Sequence, residues 1–184
     1  GIVNIDDSMC IEVGGCIEDA ENCPDWEDDP NAYELTATMN VMVLLNGEQT
    51  AQSGDILGAF DDEGNIRGIG IQLIPPFGPN EGSIIYEIQL RSNFNGEIIS
   101  FKYYDASKDL IYEGLSEYEF LANDIVGDMM DPDQLEIGIY GCTFSIANNY
   151  NPNATIDDDS CEFPPLGDLS FKEFNYVDKT IEVH

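Results

Sequence analysis

The sequence predicts an all-β fold: an antiparallel β-sandwich of about seven to nine strands, immunoglobulin-like or jelly-roll, with acidic Cys-rich loops at both ends. Three observations carry this reading. Apolar and polar residues alternate over short runs; Tyr33, Leu35, Ala37, Met39, Val41 and Val43 share one face of such a run. Turn signals separate the runs, with Asn46-Gly47 and Asn95-Gly96 reading as hairpin turns. No stretch sustains a 3.6-residue period, and the connections are too short for crossover helices.

Residues 1–30 are polar, acidic and Cys-rich. Ile5-Asp6-Asp7-Ser8-Met9-Cys10 echoes Ile156-Asp157-Asp158-Asp159-Ser160-Cys161, so the segment contains the end of a truncated repeat. If so, the partner of Cys10 lies upstream of Gly1, and Cys16 pairs with Cys23. The alternative is that Cys10 pairs with one of those two and leaves the other free.

The sandwich spans 31–140. Its strands are the Tyr33–Val43 run, Ile56–Phe60, Ile66–Ile74, Ile84–Arg91, Ile98–Tyr104, Leu110–Tyr112 and a last run through Leu135, Ile137 and Ile139. Asp61–Asn65 and Asp105–Asp109 are turns, and Pro75-Pro76-Phe77-Gly78-Pro79-Asn80 is a loop that no strand can occupy. Residues 141–163 form a loop between Cys142 and Cys161 with almost nothing to bury, which needs a disulfide or a bound cation to hold it. Pairing of those cysteines contributes roughly 3 kcal/mol. Residues 164–184 form a strand-like extension after Pro164-Pro165. It reads as a last strand of the sandwich, as the start of a next domain, or as an edge strand lent to a neighbouring molecule.

Composition narrows the function. The chain has 184 residues with 42% apolar content, enough for one domain with attachments. Against 37 acidic residues stand 6 basic ones, a net charge of -31. That excludes nucleic acid and disfavours anionic membranes as partners. It favours hard cations, calcium above all, and solubility in salty water. The five cysteines form no paired CxxC knuckles, so zinc is not expected. Their spacing in acidic loops suggests an oxidising, extracellular setting. No apolar run reaches the roughly 18 residues of a membrane helix. A chain that starts at Gly1 reads as a mature or excised piece of a secreted precursor.

Asn149, Asn151, Asn153 and Asp157 are spaced as side-chain oxygens that converge when a loop wraps an ion. Ala154 and Ser160 stand where an EF-hand needs Gly and a bidentate Glu, so the loop is not an EF-hand. Asp158 and Asp159 add charge that a divalent cation relieves, and Asp6 and Asp7 form a weaker copy. The other reading is a disulfide-closed loop of Asx turns with solvated carboxylates. Asn153-Ala154-Thr155 is a glycosylation sequon, inert in most bacterial settings. Trp26 reads as a plug over one end of the sandwich or as a sugar-stacking platform. The only histidine is His184, which removes Ser/His and Cys/His catalysis. No enzyme is expected.

Gly141-Cys142-Thr143, Ala147, Asn149-Tyr150-Asn151-Pro152, Ala154, Asp157-Asp158 and Ser160-Cys161 resemble a repeat of large secreted proteins of marine bacteria, especially Bacteroidota. That repeat is loosely related to thrombospondin type 3 calcium repeats. Gly54-Asp55-Ile56-Leu57-Gly58-Ala59-Phe60, Arg67-Gly68 and Tyr104-Asp105-Ala106 resemble a sandwich domain found beside such repeats. The resemblance implies a modular extracellular or cell-surface protein and no activity. The expected function is a structural or adhesive module with calcium- and disulfide-stabilised linkers, assembling with copies of itself or with neighbouring domains, and forming a filament where terminal strands exchange. The alternative is a calcium-dependent carbohydrate-binding module whose aromatic face is Tyr103, Tyr104, Tyr112 and Tyr118.

Overall fold

A computed structural model of the chain describes residues 20–164 and the strands at 171–175 and 180–183. The chain divides into two compact units, Gly1–Ile139 and Tyr140–His184. Among the described residues the regular structure is all strand.

The first unit contains β1 (Leu35–Leu45), β2 (Glu48–Gln49), β3 (Ile56–Phe60), β4 (Ile66–Leu73), β5 (Ile85–Ser92), β6 (Ile98–Asp105), β7 (Leu110–Gly114), β8 (Tyr118–Glu119), β9 (Ile125–Val126) and β10 (Asp133–Gly138). Hydrogen bonding runs β10-β7-β6-β3-β4-β5-β1, and β1 then pairs with β10. The seven expected strands are these seven, but they close into a barrel. The expected sandwich of open antiparallel sheets is not what the pairing gives. The closing contact is parallel, from Val41↔Asp133 to Leu44↔Glu136, while β10 joins β7 antiparallel through Ile137 and Gly138. Closure satisfies backbone groups that two sheet edges would leave unpaired.

Side-chain alternation chooses the inside. Ala37, Met39, Val41 and Val43 from β1 are all buried, as the strand's period of two requires. They meet Leu57, Tyr86, Ile88, Leu90, Ile99, Phe101, Tyr103, Leu135 and Ile137 in one core. Asn46 and Gly47 both take positive φ and close the β1–β2 hairpin, as their sequence signals. Asn95-Gly96 does not close one. It joins β5 to β6, which lie apart in the strand order and do not pair. There Asn95 Oδ1 instead accepts the Ala122 N–H (2.7 Å), and Gly96 N–H donates to the Phe120 carbonyl (2.8 Å).

A strap of residues 20–34 lies over the barrel. Asn22 N–H donates to the Asp109 carboxylate, Trp26 meets the Phe60 ring edge-to-face at 5.1 Å, and Asp28 accepts two guanidinium nitrogens of Arg91. Trp26 is half-buried there, packed on Phe60 and beside Gly58 of β3.

In the second unit, β11 (Phe171–Asn175) and β12 (Thr180–Val183) pair antiparallel with each other as a two-stranded sheet.

Gly68 marks where β4 crosses closest to β5. A Cβ there would stand 2.7 Å from the Gln89 carbonyl oxygen, a backbone atom that cannot move alone. Gly68→Ala should therefore destabilise the barrel by about 1–3 kcal/mol in urea denaturation. A neutral result would mean that β4 and β5 are less tightly registered than described.

Candidate functional site

Two of the residues that carry the sandwich-domain resemblance, Asp55 and Ala106, meet at a buried node. Gly54 takes φ 95°, a conformation that favours glycine, and turns the following residue inward. Asp55 is 2% exposed. Its carboxylate accepts N–H groups from Gln52 (2.7 Å) and Ala106 (2.8 Å) and the hydroxyl of Tyr103. The Asp55 carbonyl accepts from the Tyr86 hydroxyl (3.2 Å) and from Gln72 Nε2 (3.0 Å). One residue thus ties β3 to β4, β5 and β6. Burial pushes the Asp55 carboxyl above its ordinary value, against the pull of the Tyr103, Gln52 and Ala106 hydrogen bonds. Burial likewise lifts the phenols of Tyr86 and Tyr103 far above the usual range.

Arg67 is the second node. Its guanidinium binds Asp61 (2.6 Å), both oxygens of Glu97 (2.8 and 2.9 Å) and the Tyr33 hydroxyl, and it stacks 4.4 Å above the Tyr33 ring. Asp61 also accepts the Glu63 and Asn65 N–H groups, which shapes the β3–β4 turn. Hydrogen bonds from Arg67 hold the Glu97 carboxyl below its ordinary value against burial. Burial acts upward on Asp61, but bonds from Asn65 and the Arg67 charge outweigh it. Both nodes are fully partnered: among the described residues, no buried side-chain nitrogen or oxygen lacks a hydrogen bond. A closed, satisfied network of this kind fixes the positions of the strands it joins.

The Cys142–Cys161 loop is built from the same kind of contact. The cysteines are bonded, with Cα atoms 4.8 Å apart, and Cys142 is 1% exposed. Gly141 N–H donates to Ile156 O (3.1 Å) and Asn151 N–H to Cys142 O (2.9 Å). Asn149 spans the loop: its Nδ2 donates to Ser160 O (2.7 Å) and its Oδ1 accepts from Glu162 N (2.8 Å). Asn151 Oδ1 accepts Asn153 N–H (3.0 Å), Asp157 Oδ1 accepts Asp159 N–H (3.2 Å), and Asp158 Oδ1 accepts Ser160 N–H (3.0 Å). Each of those three is an Asx turn, two residues on. Hydrogen bonds from Ser160 hold the Asp158 carboxyl below its ordinary value. Phe144 and Phe163 stack edge-to-face at 5.8 Å.

The expected calcium ligands separate into two groups. Asp157, Asp158 and Asp159 are exposed carboxylates that fit a hard cation by chemistry. Asn149 is a strut whose amide is committed at both ends. Among the described residues no three His, Cys, Asp or Glu side chains stand within reach of one ion. Asn153 is exposed, so its sequon faces solvent. Cys23 is disulfide-bonded to a residue outside those described; Asp6, Asp7, Cys10, Cys16 and His184 also lie outside them. Three of the four tyrosines expected to form an aromatic face are core residues: Tyr103 and Tyr104 are 0% exposed and Tyr112 is 5%. Strand alternation puts Tyr103 and Tyr112 on the core side, where they pack tilted at 6.3 Å, and no sugar can reach them.

The Arg67 node fixes a pH dependence. Asp61 and Glu97 have folded-state pKa values below their ordinary 3.8 and 4.5, so their stabilisation is present above those values and is lost as pH falls through the depressed ones. Asp55 has the opposite sign: its contribution is fullest below 3.8 and fades as pH rises through its raised value. Asp61→Asn with Glu97→Gln should lower the melting temperature at pH 7, and the gap from the parent should narrow below about pH 4. A gap independent of pH would contradict the ionic account. Compared with protein-family models, curated proteins and solved structures, the chain matches none of them.

Proposed function

We propose that this chain is a non-enzymatic structural module of an extracellular protein: a barrel followed by a disulfide-closed spacer, joined to copies of itself or to neighbouring domains. One observation carries the reading. Side chains that the motifs single out are used to hold their own chain: Asp55 within the barrel, Arg67 against Tyr33 of the strap, and Asn149, read from the sequence as a ligand, across the loop. The disulfide supports an oxidising location. Calcium, where bound, is drawn to the exposed carboxylates of Asp157, Asp158 and Asp159 without being enclosed by them, and supplies charge neutralisation to a loop already closed by sulfur.

The carbohydrate-binding alternative loses its main support with the burial of Tyr103, Tyr104 and Tyr112. Filament formation through the C-terminal extension keeps a specific support. β11 and β12 form a two-stranded sheet, and each strand has an edge free of pairing within that sheet. An exposed strand edge is a template for a second chain.

Cys142→Ser with Cys161→Ser should make residues 142–161 a preferred protease site while the barrel's melting transition stays in place. Cleavage in that loop with the disulfide intact would overturn the spacer reading. Calcium titrated into EGTA-treated protein should shift the amides of Asp157–Asp159 saturably below about 5 mM, the range of extracellular modules. Shifts that never saturate would remove calcium from the proposal and leave the spacer. Sedimentation velocity should show self-association for the full chain and a monomer once residues 166–184 are removed; unchanged assembly would exclude strand exchange through that arm.

A further inference from the structure

The barrel wall has an opening beside its closing seam. β7 stops at Gly114, and β10 touches β7 only through Ile137 and Gly138. The earlier part of β10, Asp133 to Glu136, pairs with β1 instead. On the far side β6 continues with β8, at Ile98 and Ile99. Between these strands lies a cavity of about 210 Å³. Its floor is formed by Met39, Val41, Phe101 and Leu135, all 3% exposed or less. Its rim carries Glu117 and Asp133, both exposed. A dry apolar cavity of about 150 Å³ accepts benzene, so this one has room for a single ring.

The charge of the rim selects the guest. Among the described residues neither Glu117 nor Asp133 has a side-chain hydrogen bond or ion pair. All four Lys and Arg residues within 20–164 are committed to other carboxylates: Arg67 to Asp61 and Glu97, Arg91 to Asp28, Lys102 to Glu113 and Lys108 to Asp105. Among the described residues no cation is left to supply a counter-charge at the mouth. An anion is repelled there, and a neutral apolar molecule gains only the floor. A molecule with a small apolar body and an ammonium head gains both. We infer that this cavity is a binding site for a small organic ammonium ion, its apolar body against Phe101 and Leu135 and its cation at Glu117 and Asp133.

Phenethylammonium is the probe, at about 150 mM salt so that diffuse attraction to the acidic surface is screened. Its titration should shift the methyl resonances of Met39, Val41 and Leu135 saturably, while phenylacetate leaves them in place. Glu117→Gln with Asp133→Asn should weaken phenethylammonium roughly tenfold and leave benzyl alcohol unchanged. Val126→Trp, at a half-buried lining position, should abolish binding while the melting transition is retained. Equal affinity for phenylacetate, shifts confined to surface amides, or undiminished binding in a folded Val126→Trp protein would each overturn the assignment.

Discussion

The Asp55 carboxylate is the constraint on which the barrel rests. It is charged or protonated inside a wall of strands, and either form is expensive to bury without partners. Two of its partners come from far along the chain, Tyr103 and Ala106 at the end of β6, while Gln52 is local, on the approach to β3. Its own carbonyl holds Tyr86 of β5 and Gln72 of β4. These donors reach it only when the four strands are in register. A sheet slipped by one residue would bury the carboxylate with its hydrogen bonds broken, which costs more than any single apolar contact returns. Asp55 therefore acts on specificity of pairing more than on raw stability.

Arg67 does the same work at the strap. With a net charge of -31, an intramolecular cation is scarce, and each of the four within 20–164 is paired with a carboxylate. Arg67 draws together the β3–β4 turn, Glu97 before β6, and Tyr33 at the strap's end. Its planar fork serves two carboxylates at once, which lysine cannot imitate. Most of the other described carboxylates face solvent, so their mutual repulsion is eased by salt.

Much of the fold was legible in local pattern. The alternation at Ala37, Met39, Val41 and Val43 gave the inward face of β1, and seven runs marked the seven barrel strands. Asn46-Gly47 gave a true hairpin because both residues accept positive φ and the flanking strands are neighbours. Asn95-Gly96 has the same local chemistry, yet β5 and β6 part there. A dipeptide specifies a turn; which strands then pair is settled by the core. Barrel closure was illegible for the same reason, since Val41 and Asp133 are brought together by every strand between them. In the loop, the Cys142–Cys161 bond and the Asx turns followed from residue type. The role of Asn149 did not: a ligand and a strut use the same amide oxygen, and only the position of Glu162 N–H distinguishes them.

The motif residues thus describe an architecture, and the amide of Ala106 reports on it most directly. It lies in the turn after β6, where a backbone N–H would ordinarily exchange with solvent through local fluctuations. Here it is bonded to the buried Asp55 carboxylate at 2.8 Å. Native-state hydrogen exchange should find Ala106 protected to the level of the core amides of β5 and β6, opening only with the whole barrel. Exchange of Ala106 at the rate of an exposed turn would contradict the central role given to Asp55.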